Sequence, residues 1–105
     1  MLEVQQRMRP HPDVVDTELD GQETVLLHLV TKLYYTLNPT GTRIWQGLKN
    51  GLNPRQISEK LQQEFTVEAD AADRSVLRLL DELCQRQLVE KLDFENSAER
   101  HEPSA

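Results

Sequence analysis

The sequence predicts an α+β domain in which a three-stranded antiparallel sheet is followed by three helices. Three observations support this prediction. Before residue 38 the chain contains short apolar runs, rich in β-branched and aromatic residues and separated by polar turns, which is typical of strands. After residue 38 apolar residues recur every three or four positions, which is typical of helices. The tripeptide LNP occurs twice, each time where a helical pattern starts.

Three segments form the predicted sheet. They read VVDTEL, ETVLLHLV and LYYTL. The dipeptide DG follows the first segment and a polar break, TK, precedes the third. Because turns of two to four residues join antiparallel neighbours, we expect these strands to form a meander.

The third strand is expected to present two different faces. Side chains alternate along a strand, so Leu33, Tyr35 and Leu37 share one face. Tyr34 and Thr36 share the opposite face.

The repeated LNP is explained by helix initiation. Asn38 and Asn53 are good N-cap residues, and the prolines that follow them suit the first helical position, where a missing N–H costs nothing. The chain that follows the first copy does not resemble the chain that follows the second in length or pattern. The repeat therefore predicts two helix starts and not a duplicated unit.

Each predicted helix carries an apolar stripe. In the first two helices the stripe consists of Ile44, Trp45, Leu48, Ile57, Leu61 and Phe65. The third helix begins near residue 69, and its apolar positions are Val76, Leu77, Leu79, Leu80, Leu83, Cys84 and Leu88. This stripe is wider than one packing partner requires, so we expect the third helix to pack on the core and to border a further surface. The segment LVEKL predicts a short final strand, and the whole arrangement is winged-helix-like.

The folded domain is predicted to span residues 14–92. Residues 1–13 are polar, carry two prolines and show no period, so we expect a flexible N-terminal arm. Residues 93–105 are polar, rich in acidic residues and aperiodic, which is typical of a disordered tail. At 105 residues the chain is long enough for one domain with one core.

The charge of the chain disfavours polyanionic partners. The formal net charge is −6, from 18 acidic and 12 basic residues, so neither nucleic acid nor an anionic membrane is an expected partner. No uninterrupted apolar run approaches the roughly 18 residues of a membrane span. The N-terminal segment lacks the apolar stretch of a signal peptide, so we expect a cytoplasmic protein.

No motif in the sequence indicates catalysis or metal binding. His11, His28 and His101 are widely spaced and form no ligand cluster. We expect His28 to be a half-exposed structural residue of the second strand. Cys84, the single cysteine, excludes an intrachain disulfide and is expected to be a buried packing residue. The sequence thus predicts a protein that is not an enzyme and needs no cofactor.

A winged-helix-like fold raises the alternative of a DNA-binding transcription regulator. Residues 54–86, the would-be helix-turn-helix, contain five basic and seven acidic residues, a net charge of −2. The third helix opens with Asp70 and Asp73, whose carboxylates would repel phosphates. The charges therefore disfavour DNA binding.

A peptide-binding edge is the other functional surface that the sequence predicts. Residues 32–37 form a candidate edge strand, and an extended peptide can pair with such an edge. The wide-striped third helix would supply the other wall. Arg74, Arg78 and Asp81 lie on its polar border at spacings i, i+4 and i+7. These charges either anchor a charged peptide or only solvate the helix, and the pattern by itself leaves both interpretations open.

Two stretches of the chain resemble a known family. They read VLLHLVTKLYYTLNPTGTRIWQGLKNGLNPRQISEKLQQEFTV and LLDELCQRQLVE, within residues 14–92. This ordered set resembles the PqqD-like family, the small proteins of pyrroloquinoline-quinone biosynthesis and the peptide-recognition domains of other ribosomal peptide-modification pathways, including lasso peptides. The LNPTG segment looks closer to stand-alone members than to the quinone-pathway protein, so the quinone itself is not assumed.

The resemblance implies a winged-helix-like domain without catalytic residues, which binds the leader segment of a precursor peptide. The leader would be delivered to a peptide-modifying enzyme, such as a radical-SAM protein, or to a leader peptidase. In the family the leader adds a strand beside the third strand and lies in the groove between that strand and the third helix. The implied peptide-binding residues are Lys32, Leu33, Tyr34, Tyr35, Thr36, Arg74, Leu77, Arg78 and Asp81. The family pattern directs Leu37 and Tyr35 to the core, which makes Tyr34 the better contact, and an exposed edge also allows a homodimer.

Overall fold

The fold is an α+β domain with a three-stranded antiparallel sheet followed by three helices, as the sequence predicts. The computed structural model describes residues 7–20 and 22–92. Its elements are β1 (Met8–Pro10), β2 (Val14–Leu19), β3 (Glu23–His28), β4 (Tyr34–Leu37), α1 (Pro39–Lys49), α2 (Pro54–Phe65), α3 (Ala69–Gln85) and β5 (Val89–Lys91). The first six residues of the predicted arm and the predicted tail, residues 93–105, lie outside the described residues.

The sheet has the strand order β2-β3-β4, with both pairs antiparallel. Leu26, at the centre of β3, pairs with Asp16 on β2 and with Tyr35 on β4. Because side chains alternate along β3, Thr24, Leu26 and His28 point to the side of the helices and are buried. This inner face of the sheet is one wall of the hydrophobic core.

A buried histidine shapes the turn between β3 and β4. His28 is only 3% exposed, so the expectation of a half-exposed residue is wrong. Its Nδ1 atom accepts hydrogen bonds from the backbone N–H groups of Val30, at 3.2 Å, and Thr31, at 3.3 Å. Lys32 then adopts the left-handed conformation, with φ of 67°. The turn therefore extends into the predicted strand, and β4 begins at Tyr34 instead of residue 32.

A second, two-stranded sheet forms from the two ends of the domain. Met8–Pro10 pairs antiparallel with Val89–Lys91. The Met8 side chain is buried in the core, and Arg9 forms an ion pair of 2.8 Å with Glu90. The predicted flexible arm therefore differs from the structure at these three residues. The final strand is present as predicted, and its partner is a segment that has no strand pattern of its own.

Both predicted helix starts are confirmed by hydrogen bonds. The Asn38 side chain accepts from the Gly41 N–H at 2.7 Å. Asn53 and Gln56 form a capping box, in which each side-chain oxygen accepts from the other residue's backbone N–H at 2.9 Å. Thr66, in the left-handed conformation, ends α2.

The hydrophobic core lies between the sheet and the three helices. Its buried members are Met8, Leu26, Leu37, Ile44, Trp45, Leu48, Ile57, Leu61, Ala72, Val76, Leu80, Leu83, Leu88 and Val89. Phe65 is the exception among the predicted stripe positions of α1 and α2, because it is exposed at the end of α2. A Cβ atom at Gly47 would lie 2.8 Å from Ile57 Cγ1, so glycine permits the close approach of α1 and α2.

The helices that the structure describes are all too short or too polar to cross a lipid bilayer.

Polar side-chain contacts attach the sheet to α1. Thr24 and Thr42 share a buried hydrogen bond of 3.0 Å between their hydroxyl groups. Asp16 Oδ2 accepts from Trp45 Nε1 at 2.8 Å and from Lys49 Nζ at 2.7 Å. Burial raises the pKa of Asp16, but the hydrogen bonds from Lys49 and Trp45 outweigh that effect and hold the pKa below its ordinary value. The fold thus favours the carboxylate form of Asp16.

Replacing Asn53 by alanine is expected to lower the free energy of unfolding by about 1 kcal/mol, because the capping box loses its side-chain acceptor. Urea denaturation of the two proteins measures this difference. Gln63→Ala is the matched control, since it changes an exposed residue in the last turn of the same helix, away from the cap. Equal losses in the two variants would show that the cap makes no specific contribution.

Asp16→Asn is expected to destabilise the protein at neutral pH and much less in acid. A folded-state pKa below the unfolded value means that the carboxylate stabilises the fold above the unfolded pKa, and that this contribution is lost as the pH falls through the folded pKa. The difference in unfolding free energy between wild type and variant should therefore shrink between about pH 6 and about pH 3 in urea titrations. A difference that does not change with pH would contradict this assignment.

Candidate functional site

The outer edge of β4 carries backbone groups that have no partner among the residues that the structure describes. The His28 N–H donates to the Leu33 carbonyl oxygen at 3.0 Å, which sets the phase of the ladder between β3 and β4. In an antiparallel ladder, successive residues bond alternately to one side and to the other. Tyr35, two residues after Leu33, therefore bonds toward β3. Tyr34 and Thr36 direct their N–H and C=O groups away from β3, to the open edge.

The open edge is limited on both sides, so only a short stretch of backbone can pair with an added strand. Before it, Lys32 is in the left-handed conformation of the turn. After it, Asn38 caps α1 and Pro39 has no N–H to donate. Tyr34 and Thr36 thus offer two donors and two acceptors to an added strand. Because one such bond contributes roughly 1 kcal/mol net, side-chain contacts beside the edge must supply most of the selectivity.

A groove lies between the β4 edge and α3. Its central part has a volume of about 390 Å³ and is lined by Tyr35, Thr36, Leu37, Asn38, Thr40, Gly41, Ile44, Ser75, Arg78, Leu79 and Glu82. A second depression, of about 340 Å³, lies beside the end of α3 and is lined by Thr31, Leu33, Tyr34, Tyr35, Gln85, Arg86, Gln87 and Leu88. Since Tyr35 lines both, the two depressions follow β4 one after the other. Together they form what we call the β4–α3 groove.

Two charged side chains, Glu82 of α3 and Arg86 at its C-cap, lie near the Tyr35 ring in this groove. The guanidinium carbon of Arg86 lies 5.1 Å from the ring centroid, within cation–π range, and its Nη2 atom lies 3.4 Å from Glu82 Oε2. Burial raises the pKa of Tyr35, the hydrogen bond and negative charge of Glu82 raise it further, and the charge of Arg86 opposes them. The phenol therefore stays neutral, while Arg78 adds an exposed positive charge further along the groove.

Most of the predicted strand residues border the β4–α3 groove. Leu33, Tyr34, Tyr35 and Thr36 line one or both of its depressions. Lys32 lines neither depression. The Tyr34 side chain is 73% exposed, whereas Tyr35 is partly buried against the core. The preference for Tyr34 as the peptide contact stays a prediction.

The helix side of the groove differs from the predicted set. Among the predicted residues of α3, Arg78 lines the groove, whereas Arg74, Leu77 and Asp81 do not. The groove is instead lined by Ser75, Arg78, Leu79, Glu82 and Gln85 of α3 and by its C-cap residue, Arg86. The α3 residues that line the groove are thus displaced from the predicted set by one residue, or about 100° around the helix axis, and the part of Arg74, Leu77 and Asp81 in peptide binding stays a prediction. An apolar stripe has two flanks, and only packing decides which flank faces β4. The sequence did indicate one residue of the flank that faces β4, because Leu79 lies at the border of an unusually wide apolar stripe.

Cys84 and the histidines do not contribute to a reactive centre in the described structure. Cys84 is partly buried against the core, and burial raises the pKa of its thiol, which disfavours the nucleophilic thiolate. Within residues 7–20 and 22–92, no three side chains of His, Cys, Asp or Glu come together as a metal-binding group.

Solved structures of similar fold include two that contain leader peptides. One is described as TbiB1 in complex with the TbiA(beta) leader peptide; it is 32% identical, with a TM-score of 0.76, over 81% of this chain and 98% of that chain. Another is lasso peptide synthetase B1 complexed with the leader peptide, 28% identical, with a TM-score of 0.72, over 79% and 96% of the two chains. The heterocyclase TruD is 18% identical, with a TM-score of 0.56, over 95% of this chain and 14% of its own, which shows the fold alone.

The sequence also matches a family model. The model of coenzyme PQQ synthesis protein D (PqqD) matches residues 23–89, which include β3, β4, the three helices and the start of β5. No curated protein sequence gives a significant match. The matched region contains both walls of the β4–α3 groove and more than half of the chain. This chain therefore belongs to the PqqD family.

Proposed function

We propose that this protein is a non-catalytic chaperone, which binds the leader segment of a ribosomally synthesised precursor peptide and presents it to a modifying enzyme. The leader pairs as an added strand with the backbone of Tyr34 and Thr36, and alternate leader side chains enter the β4–α3 groove. The observation that carries the proposal is the open β4 edge, whose unpaired backbone groups lie beside this groove.

The related structures support the same occupant. TbiB1 and the lasso peptide synthetase B1 are each described in complex with a leader peptide. This chain is similar to both along about four fifths of its length. An extended peptide also fits the dimensions of the site, because the groove runs along β4 and α3 and is open to solvent.

The side chains of the groove define the kind of leader that would fit. Tyr35 and Leu79 offer apolar surface to an inward-pointing apolar residue. Arg78 has no ion pair among the described residues, so it is available for a leader carboxylate. Glu82 and Arg86 are paired with each other and contribute less net charge. We therefore expect an extended leader segment that combines an apolar residue with an acidic one.

A leader-binding protein of this kind requires a separate catalyst that acts on the peptide. A radical-SAM protein and a leader peptidase are the two candidate classes for this partner. Since the precursor is made on the ribosome, we expect all three components to meet in the cytoplasm. DNA binding remains the less favoured alternative, because the acidic residues of α2 and α3 outnumber the basic ones.

Addition of the leader peptide encoded beside this chain is expected to slow hydrogen exchange at the Tyr34 and Thr36 amides. These amides point to the open edge in the free protein and would gain carbonyl partners from the added strand. Exchange followed by NMR tests this, with the Tyr35 amide as an internal control that is already bonded to β3. Unchanged exchange at Tyr34 and Thr36 in a saturated complex would contradict strand addition at this edge.

Arg78→Glu is expected to weaken the binding of an acidic leader segment by about tenfold or more, because a charge-assisted contact becomes a repulsion. Arg74→Glu is the matched control. Both arginines are exposed and lie one turn apart on α3, but only Arg78 lines the groove. Calorimetric titration of the leader measures both affinities. Equal weakening by the two variants would indicate a general charge effect and would contradict a specific role for Arg78.

A further inference from the structure

A third depression continues the β4–α3 groove beyond the end of β4. It has a volume of about 320 Å³ and is lined by Thr40, Leu61, Phe65, Val67, Ala71, Ala72 and Ser75. We call it the α2–α3 pocket, because most of its lining belongs to the end of α2 and the first half of α3. Thr40 and Ser75 also line the central part of the groove, so the pocket and the groove meet at these two residues.

The three depressions follow one another along both walls. On the α3 side, the lining residues fall within 85–88 for the depression beside the helix end, 75–82 for the central part and 71–75 for the α2–α3 pocket. On the opposite side they fall within 31–35 for the first and 35–44 for the second, and Thr40 serves the third. A peptide that follows the groove past Leu37 therefore arrives at the α2–α3 pocket.

The α2–α3 pocket is apolar, unlike the rest of the groove. None of its seven lining residues is charged, whereas Arg78 and Glu82 line the central part of the groove. Leu61 and Ala72 are buried members of the hydrophobic core and connect the pocket to it. A charged guest would lose its water here without gaining a charged partner, so the lining favours an apolar guest.

Phe65 and Val67 are the exposed members of the pocket lining that the core does not absorb. Each is 39% exposed, although both are large apolar residues and Phe65 holds a stripe position of α2. Thr66 stands between them in the left-handed conformation that ends α2, with φ of 53°. The end of α2 thus places two apolar side chains at one apolar pocket beside the groove.

We propose that the α2–α3 pocket binds one apolar side chain of the leader, from the part of the leader that continues past the Leu37 end of β4. The inference rests on the proposed leader binding and adds a second anchor to it. Its basis is the continuity of the pocket with the groove at Thr40 and Ser75. The leader then carries its acidic residue opposite Arg78 and an apolar anchor nearer to the end that passes Ser75.

The size of the pocket and the weakness of the open edge both favour such an anchor. An apolar cavity of about 150 Å³ can hold benzene, so about 320 Å³ accommodates a leucine or an aromatic side chain. The edge offers only the backbone groups of Tyr34 and Thr36, and hydrogen bonds of that number support roughly millimolar affinity before the peptide is ordered. Transfer of an apolar side chain from water into the pocket adds affinity without further backbone bonds.

Ala71→Leu is expected to weaken binding of the leader encoded beside this chain by about tenfold, because the added side chain occupies the α2–α3 pocket. Ala69→Leu is the matched control. It makes the same substitution at an exposed residue of the same helix, and Ala69 lines none of the three depressions. Calorimetric titration of the full chain with the synthetic leader measures both affinities, and circular dichroism checks that both variants are folded.

Alanine replacement along the leader tests the pocket without relying on one variant of the protein. One apolar leader residue, on the side that passes Leu37, should cost the wild type about tenfold in affinity when replaced. The same replacement should cost Ala71→Leu much less, because its pocket is already occupied. In the wild-type complex, NMR should show contacts between this leader side chain and the methyl groups of Val67.

Failure of this inference can be told apart from failure of leader binding. Slow exchange at the Tyr34 and Thr36 amides, with the same affinity for wild type and Ala71→Leu, would keep leader binding and overturn the anchor. Equal weakening by Ala69→Leu would overturn it too. So would a loss of association with the modifying enzyme while leader affinity stays unchanged, because the pocket would then belong to the enzyme. A leader that does not bind at all would overturn both proposals.

Discussion

The Asn38 cap stops β4 after four residues, and the candidate site depends on that stop. The Asn38 side chain holds the Gly41 N–H at 2.7 Å, and Pro39 begins α1 immediately after the strand. The chain therefore leaves the sheet edge at Leu37 and turns into the helix that covers the inner face. Within residues 7–20 and 22–92 no strand pairs with the outer edge of β4, so its outer backbone groups stay available beside α3. The capped turn after Leu37 thus directs α1 onto the inner face of the sheet and leaves the edge of β4 open.

In the proposed complex, the two walls of the β4–α3 groove contribute differently to affinity and to selectivity. The backbone of β4 offers the same hydrogen bonds to any extended peptide, so it supplies affinity with little discrimination. Selectivity must come from side chains, and most of those that line the groove with charge belong to α3, including Arg78 and Glu82. A change of residues on this face of α3 can therefore alter the preferred leader without disturbing the fold.

The three-stranded sheet has two edges and two faces, and each lies in a different environment. The inner face is buried in the core, and the β4 edge faces the groove. The β2 edge carries Asp16 and Glu18, whose carboxylates accept hydrogen bonds from side chains of α1. The face that points away from the helices is exposed at Val15 and carries both apolar residues, such as Val25 and Leu27, and the charged Glu23.

Local chemistry was sufficient for most of the fold. The Asn-Pro pairs at Asn38 and Asn53 located two helix starts, and the short apolar runs located the sheet and its open edge, because caps, turns and side-chain periods act over a few residues. Three features required tertiary contacts. Met8–Pro10 is a strand only because it pairs with a segment about eighty residues away, and β4 starts late because buried His28 binds the turn. Arg78 alone among the predicted α3 residues lines the groove, since the flank of an amphipathic helix that faces a neighbour is decided by packing and not by its sequence.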